Sequence, residues 1–184
     1  MILLDKCPVC SNKNLANKLH CTDHTTSKEK FTIVSCETCD FTFTNPRPKD
    51  ESLGEYYKSE MYISHTNSSK GLFNWMYQSV RRYAIGTKLT LLKSVTNFGY
   101  HLDIGCGTGE FLNACQQTGF KVFGVEPSKL AREQAVNNYN LSVSEDSNLE
   151  QFKDHTFDSI SMWHVLEHVP NLIKTIAEIK RILN

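Results

Sequence analysis

Four of the seven cysteines stand in two identical pairs, Cys7-Pro-Val-Cys10 and Cys36-Glu-Thr-Cys39. A C-x2-C turn lets two thiolates converge on one cation, and two such turns complete a tetrahedral shell, the usual site of zinc. Four thiolates leave no open position for a substrate, so this Zn2+ is expected to be structural, and a segment this small would depend on it for its fold. The competing account, buried or redox cysteines, must explain two identical spacings in a segment with hardly any core of its own. Cys21, His20 and His24 are further candidate ligands. A saturated shell leaves them out, and Cys21 is expected to pack against the module.

The second chemical constellation is His101-Leu-Asp-Ile-Gly-Cys-Gly-Thr-Gly109, three alternate glycines between an expected strand and an expected helix. Without β-carbons such a turn can bend sharply and let a ligand approach the backbone. A dinucleotide fingerprint needs its third small residue at position 110, where this chain has Glu110. That carboxylate would face a pyrophosphate at the helix N-terminus, where an anion should be welcome. A cationic cofactor fits better, with Asp103 just upstream.

Asp103-Ile-Gly-Cys-Gly-Thr-Gly109 resembles motif I of class I S-adenosylmethionine-dependent methyltransferases. The resemblance implies that Asp103, Gly105, Cys106, Gly107 and Gly109 line an S-adenosylmethionine site. Glu126, followed by Pro127, matches the acidic residue that binds the two ribose hydroxyls in such enzymes, and a carboxylate can accept two hydrogen bonds from a vicinal diol. Asp146 resembles the acid that meets the adenine amino group, with Glu145 as an alternative. Phe157-Asp158 and the run to Met162 and Trp163 look like motif IV, whose strand end lies beside the methionine part of the cofactor. The resemblance covers about residues 100–184, with its motifs in the expected order. The paired knuckles, Asn45-Pro-Arg-Pro48 and Tyr56-Tyr57 are similar to zinc-ribbon-bearing bacterial methyltransferases (methyltransferase type 11/12-like), although Ser11 and Asp40 stand where glycine usually follows each knuckle. Asp tolerates the left-handed backbone better than most residues.

Methyl transfer from a sulfonium is an in-line displacement; the protein aligns the acceptor and, for a hydroxyl, removes a proton. His164 is the candidate general base, because an imidazole titrates near the working pH. If Trp163-His-Val-Leu-Glu-His168 turns helically, His164, Glu167 and His168 share a face. That trio also resembles the Glu-x-x-Glu-His metal segment of small-RNA methyltransferases, with histidine replacing its first glutamate. The plain alternative for Glu167 and His168 is a loop-fixing role. Tyr56, Tyr57 and Tyr62 either close over the cofactor or simply pack.

These residues need a scaffold, and the hydropathy pattern supplies one. Phe31–Ser35 and Phe41–Thr44 read as a hairpin. From Gly71 to Thr96 the spacing is helical, with Phe73, Met76, Val80 and Ala84 on one stripe, continued loosely by Leu89 and Leu92, and Gly86 as a possible division. Residues 100–184 alternate strand and helix: strands at His101–Ile104, Lys121–Val125, Leu141–Val143 and Phe157–Met162, helices at Thr108–Thr118, after Ser128 and after Pro170. Ile173, Ile176 and Ile179 mark one face of the last helix. Such alternation predicts an α/β fold with a parallel, Rossmann-like sheet. We therefore read residues 1–48 as a zinc ribbon, 49–99 as a helical linker or cap, and 100–184 as an S-adenosylmethionine-binding domain.

Measured against class I methyltransferases, the 184 residues hold only the 3-2-1-4 half of the sheet. Strand four is then expected to be an open edge, and the chain a truncated product or half of a split protein, oligomeric or complemented by a C-terminal half. Lys and Arg balance Asp and Glu, for a formal net charge of zero, and the first fifty residues are nearly balanced too. That disfavours nucleic acid as a partner. No apolar run reaches membrane-spanning length and no signal-peptide core opens the chain, so the expectation is cytoplasmic, without membrane association. The resemblance points to methyl transfer onto a small-molecule or sugar acceptor. The rival from another class is a non-catalytic zinc-ribbon protein, contacting RNA or protein, that retains a cofactor fold.

Overall fold

The computed structural model describes residues 1–24, 26–56, 72–145 and 148–184. The chain divides into two compact units, Met1–Lys70 and Gly71–Asn184.

In the first unit, β1 (Leu15–Thr22), β2 (Lys30–Cys36) and β3 (Thr42–Thr44) form an antiparallel sheet in that order. The expected hairpin is present, with Val34 opposite Phe43 and Ile33 opposite Thr44. Strand β1 escaped the sequence reading because most of its side chains are exposed, so it lacks the alternation that marks a half-buried strand. Cys21 lies in β1 opposite Phe31 and is exposed, which corrects the expectation that it packs. Asn45 ties the N-terminus to this sheet: its side chain accepts from Leu4 N and donates to Leu4 O, both at 2.9 Å. The Asn45–Pro46 peptide is cis. In the short helix α1 (Leu53–Tyr56), Tyr56 meets Phe31 edge-on and donates to Glu29, a packing role within this unit. Tyr57 and Tyr62 lie outside the described residues.

The second unit opens with α2 (Leu72–Val95) and continues as β4 (Tyr100–Ile104), α3 (Glu110–Gln117), β5 (Lys121–Val125), α4 (Lys129–Tyr139), β6 (Val143–Ser144), β7 (Ser159–Ser161) and α5 (Leu172–Ile182). The sheet is parallel, as the alternation predicts, and its order β6-β5-β4-β7 is the 3-2-1-4 order that the methyltransferase resemblance implies. Gly86 does not divide α2. An interior glycine costs about 1 kcal/mol relative to alanine, too little to break a helix anchored by Ile85, Leu89 and Leu92. Leu89 and Leu92, the continuation of the expected stripe, are docked on the core, whereas Met76, Val80 and Ala84 are exposed.

Successive strand residues point to opposite faces. One face, with α2, α3 and α4, buries Leu92, Phe111, Leu112, Phe120 and Val122; the other buries Leu102, Ile104, Val125, Phe157 and Ile182. The last helix docks through Ile179 and Ile182, while Ile173 and Ile176 are half-exposed, because its buried stripe runs toward the C-terminal turn. Beyond α5, Leu183 pairs in parallel with Phe157 and Asn184 N donates to Phe157 O. Among the described residues β7 is the outer strand of the sheet, as expected for strand four, and only Phe157 just before it is met by Leu183. Among the described residues, no helix is long and apolar enough to cross a membrane.

Candidate functional site

The four sulfurs of Cys7, Cys10, Cys36 and Cys39 lie within 4.8 Å of one another. Two cross-knuckle separations are 3.7 Å (Cys7–Cys39) and 3.5 Å (Cys10–Cys36). A tetrahedral shell with zinc–sulfur bonds of about 2.3 Å places its sulfurs roughly 3.8 Å apart, so the donor set and spacing suit that ion. The knuckles repeat each other's backbone. Ser11 N donates to Cys7 O and Asp40 N to Cys36 O, each at 2.9 Å; Cys7 N reaches Asn12 O as Cys36 N reaches Phe41 O. Ser11 and Asp40 hold φ of 61° and 58°, the left-handed conformation that glycine usually supplies there. The Thr38 backbone N–H draws the Cys36 thiol down to about 7 despite its desolvation. Cys39 goes to about 12: an N–H from Phe41 favours its thiolate, but the thiols of Cys10, Cys7 and Cys36, together with desolvation, outweigh it. Four thiolates this close need a cation to ionise together.

At the end of β4 the three glycines of the loop have different reasons to be glycine. All have positive φ. A β-carbon on Gly105 would sit 2.3 Å from Val165, and one on Gly109 2.7 Å from Leu141 and 2.8 Å from Ala135. Those two are demanded by the protein's own packing. Around Gly107 a β-carbon would meet nothing within 4 Å, so this glycine leaves an open cradle over the loop. Cys106 points the other way into the core, where burial pushes its thiol up to about 12. Only its backbone is available to a ligand.

Glu126, at the end of β5, faces this cradle. Its carboxylate accepts from Gly107 N (2.9 Å) on one oxygen and from Ser128 N (2.8 Å) on the other. A carboxylate has about four acceptor sites, so both oxygens keep capacity for a diol. Arg132 of α4 braces the turn, donating to Glu126 O and Pro127 O at 2.8 Å and pairing with Glu145 at 2.8 Å. Glu145 is thus engaged with Arg132; Asp146 lies outside the described residues. Glu110, at the first turn of α3, pairs with Arg81 of α2 at 2.5 Å and accepts from Thr108 at 2.6 Å. Its negative charge stands in the first turn of α3, where it would oppose a pyrophosphate.

Asp103 is buried on β4, and Ser161 of β7 donates to its Oδ1 at 2.5 Å. Burial pushes Asp103 up to about 7, against the pull of Ser161 and of Lys88 from α2. Lys88 in turn is lowered by burial and lies over the Trp163 ring, 4.6 Å from its centroid. Trp163 stands edge-on to Phe111, and its Nε1 is buried with no hydrogen-bond partner among the described residues. Its neighbour Met162 packs on the opposite core. His164 follows with φ 58°, its side chain 86% exposed and Nδ1 3.8 Å from Glu167. The helical turn begins only at Leu166, so His164 sits outside it, and the common helical face expected for His164, Glu167 and His168 does not form.

The structure thus brings together Asp103, Gly105, Gly107, Gly109, Glu126 and Pro127 around the carboxyl ends of β4 and β5. Arg81, Lys88, His101, Arg132 and Ser161 were missed. The polar alternation of His101 and Asp103 against Ser159 and Ser161 was readable; the helix cations were not.

Residues 62–184 match the family described as a methyltransferase domain. Ubiquinone biosynthesis O-methyltransferase of Haemophilus ducreyi (strain 35000HP / ATCC 700724) is 32% identical over 93 residues, covering 45% of this chain and 39% of the relative. Its counterpart from Actinobacillus pleuropneumoniae serotype 5b (strain L20) is 34% identical, covering 45% and 40%. The chain spans about two fifths of the length of these curated relatives. Among solved structures, a SAM dependent methyltransferase from Archaeoglobus fulgidus superposes with a TM-score of 0.51 at 20% identity, over 62% of this chain and 54% of that one. That likeness shows the shared fold.

Proposed function

The chain belongs to the methyltransferase domain family, and from that premise we propose that it binds S-adenosylmethionine in the Gly105–Gly109 loop and serves methyl transfer to a hydroxyl of a small molecule or sugar. The open cradle at Gly107, facing a carboxylate already held in place, carries this reading. Glu126 accepts from the ribose hydroxyls, with Pro127 beside it and Asp146 at the adenine. Asp103 faces the cationic end of the cofactor, and Met162 and Trp163 border its methionine part. The bound cofactor supplies an electrophilic methyl group on a sulfonium. His164, on an exposed, left-handed residue after the fourth strand, takes the acceptor's proton. The curated relatives are named O-methyltransferases, which supports an oxygen acceptor. The four thiolates of the first unit hold a structural zinc, for which their donor type and spacing are suited.

Methyl-labelled S-adenosylmethionine offered with panels of phenols and of free sugars tests the reading. Transfer that is lost in His164→Ala, with cofactor affinity unchanged, supports it. Undiminished transfer in that variant removes His164 from the chemistry, and a chain that binds no cofactor removes the whole reading.

A further inference from the structure

The buried face of β4 and β7 that meets α3 carries a row of polar side chains where apolar ones would be expected. Parallel pairing sets His101 beside Ser159 and Asp103 beside Ser161. His101 is fully buried between the edges of Phe111 and Phe120. Its Nδ1 lies 2.9 Å from Ser159 Oγ, its Nε2 3.1 Å from Ser161 Oγ, and Ser161 Oγ lies 2.5 Å from Asp103 Oδ1. Four groups therefore form one continuous chain across two strands, ending on the Asp103 carboxylate, two residues before Gly105.

The direction of this chain is fixed at its end. Burial pushes His101 down to about 4, so the ring is neutral and carries one N–H. With Asp103 ionised, Ser161 donates to it and accepts from His101 Nε2–H, and Ser159 donates to Nδ1. With Asp103 protonated, its O–H donates to Ser161, Ser161 donates to Nε2, and the ring proton sits on Nδ1. One proton taken from solvent reverses every bond, and each group keeps a hydrogen. The other groups acting on Asp103 are Lys88 from α2, which favours its charge, and Glu126 from the end of β5, which opposes it. The thiols of Cys106 and Cys115, both pushed up to about 12 by burial, remain neutral.

We propose that Ser161 and His101 are positioning residues: they form a directional hydrogen-bond relay that clamps Asp103 Oδ1 and leaves Oδ2 for the cationic group of the cofactor. This rests on the cofactor reading above. Among the described residues Ser161 is the only hydrogen-bond donor to Asp103, so the relay alone fixes the rotation of that carboxylate. A cation at Oδ2 locks the ionised direction and with it the Nε2–H tautomer of His101.

Nitrogen-15 spectra of the whole chain, with His101 assigned through His101→Gln, read the tautomer directly. Calorimetric titration with S-adenosylmethionine from pH 5.5 to 9 reads its purpose. The relay predicts Nε2–H at high pH, Nδ1–H at low pH, and affinity that rises as pH passes about 7. Ser161→Ala removes the bond that favours the charged carboxyl. It moves the rise up by about one pH unit, roughly fivefold weaker binding at pH 7 and approaching tenfold at pH 5.5, with little loss at pH 9; Ser161→Thr restores the profile. A fixed tautomer in the wild-type chain, or weakening by the same factor at every pH in Ser161→Ala, overturns the relay while leaving the cofactor reading standing. A switching tautomer in a chain that binds no cofactor at any pH overturns the cofactor reading and the relay's purpose together.

Discussion

The two units build their candidate ligand sites by opposite means. In the first, few side chains are buried and two identical turns converge four sulfurs on a point; the ligand would be the core. In the second, two apolar layers around a parallel sheet hold the loop before any ligand arrives, and Gly107 marks the space left over. A site built from its own metal is written locally in the sequence. A site built on a sheet is written in the ends of several strands at once.

Metal removal should break this contrast most sharply. A strong chelator is expected to unfold the first unit, since structural zinc contributes on the order of 10 kcal/mol to such modules, while amide exchange across β4 and β5 stays protected. Equal loss of protection in both units would show that the second depends on the first.

Within the second unit, Gly105→Ala and Gly107→Ala should separate packing from binding. The first puts a methyl group into Val165 and forces a left-handed alanine; a loss on the order of 3 kcal/mol is expected in denaturant melts. The second costs about 1 kcal/mol for its positive φ, yet should weaken S-adenosylmethionine by tenfold or more. The reverse ranking of stabilities would mean that Gly107 is packed.

The buried polar row gives the second unit a pH signature of its own. Asp103, raised by burial to about 7, keeps between pH 4 and 7 a proton that the unfolded chain has released, so its contribution alone makes stability fall as pH rises through that window. His101, lowered by burial to about 4, lacks between pH 4 and 6.5 a proton that the unfolded chain holds, which makes stability rise with pH. The two slopes oppose, and the wild-type chain should show little dependence from this pair below pH 6.5. His101→Phe leaves only the falling slope, on the order of 3 kcal/mol across the window, measurable by melts at stepped pH. The smallest effect expected is Ser128→Ala. Ser128 accepts from Ala131 N as the cap of α4, and its loss should cost about 1 kcal/mol without moving the metal site.

Much of this was readable beforehand. Strand β5 spans the expected Lys121–Val125, and the cap at Ser128 follows from a hydrophobic run punctuated by serine, while the sheet order was implied by the family resemblance. Strand β1 was hidden because an exposed strand has no apolar period; its place comes from pairing with β2. The apolar stripe of α2 misled in its first half, since Met76 and Val80 face outward, and held in its continuation, where Leu89 and Leu92 dock. Arg81, Lys88 and Arg132 read as solvated helix charges until the loops they brace are placed beside them. The row from Ser159 to Asp103 was visible as polar residues at alternate positions of two buried strands, a pattern with no structural excuse except mutual hydrogen bonding.

The central proposal is that the loop takes a sulfonium nucleoside and disfavours a pyrophosphate, because Glu110 puts a negative charge in the first turn of α3 and Glu126 accepts from Gly107 N beside the open side of that glycine. Calorimetric titration of the wild-type chain with S-adenosylmethionine and with a nicotinamide dinucleotide, repeated on Glu126→Ala, tests it most directly. The account predicts one site for S-adenosylmethionine, at least tenfold weaker binding in Glu126→Ala, about 1.4 kcal/mol, and no heat from the dinucleotide. Dinucleotide binding at the same loop, or S-adenosylmethionine affinity indifferent to Glu126, would contradict it.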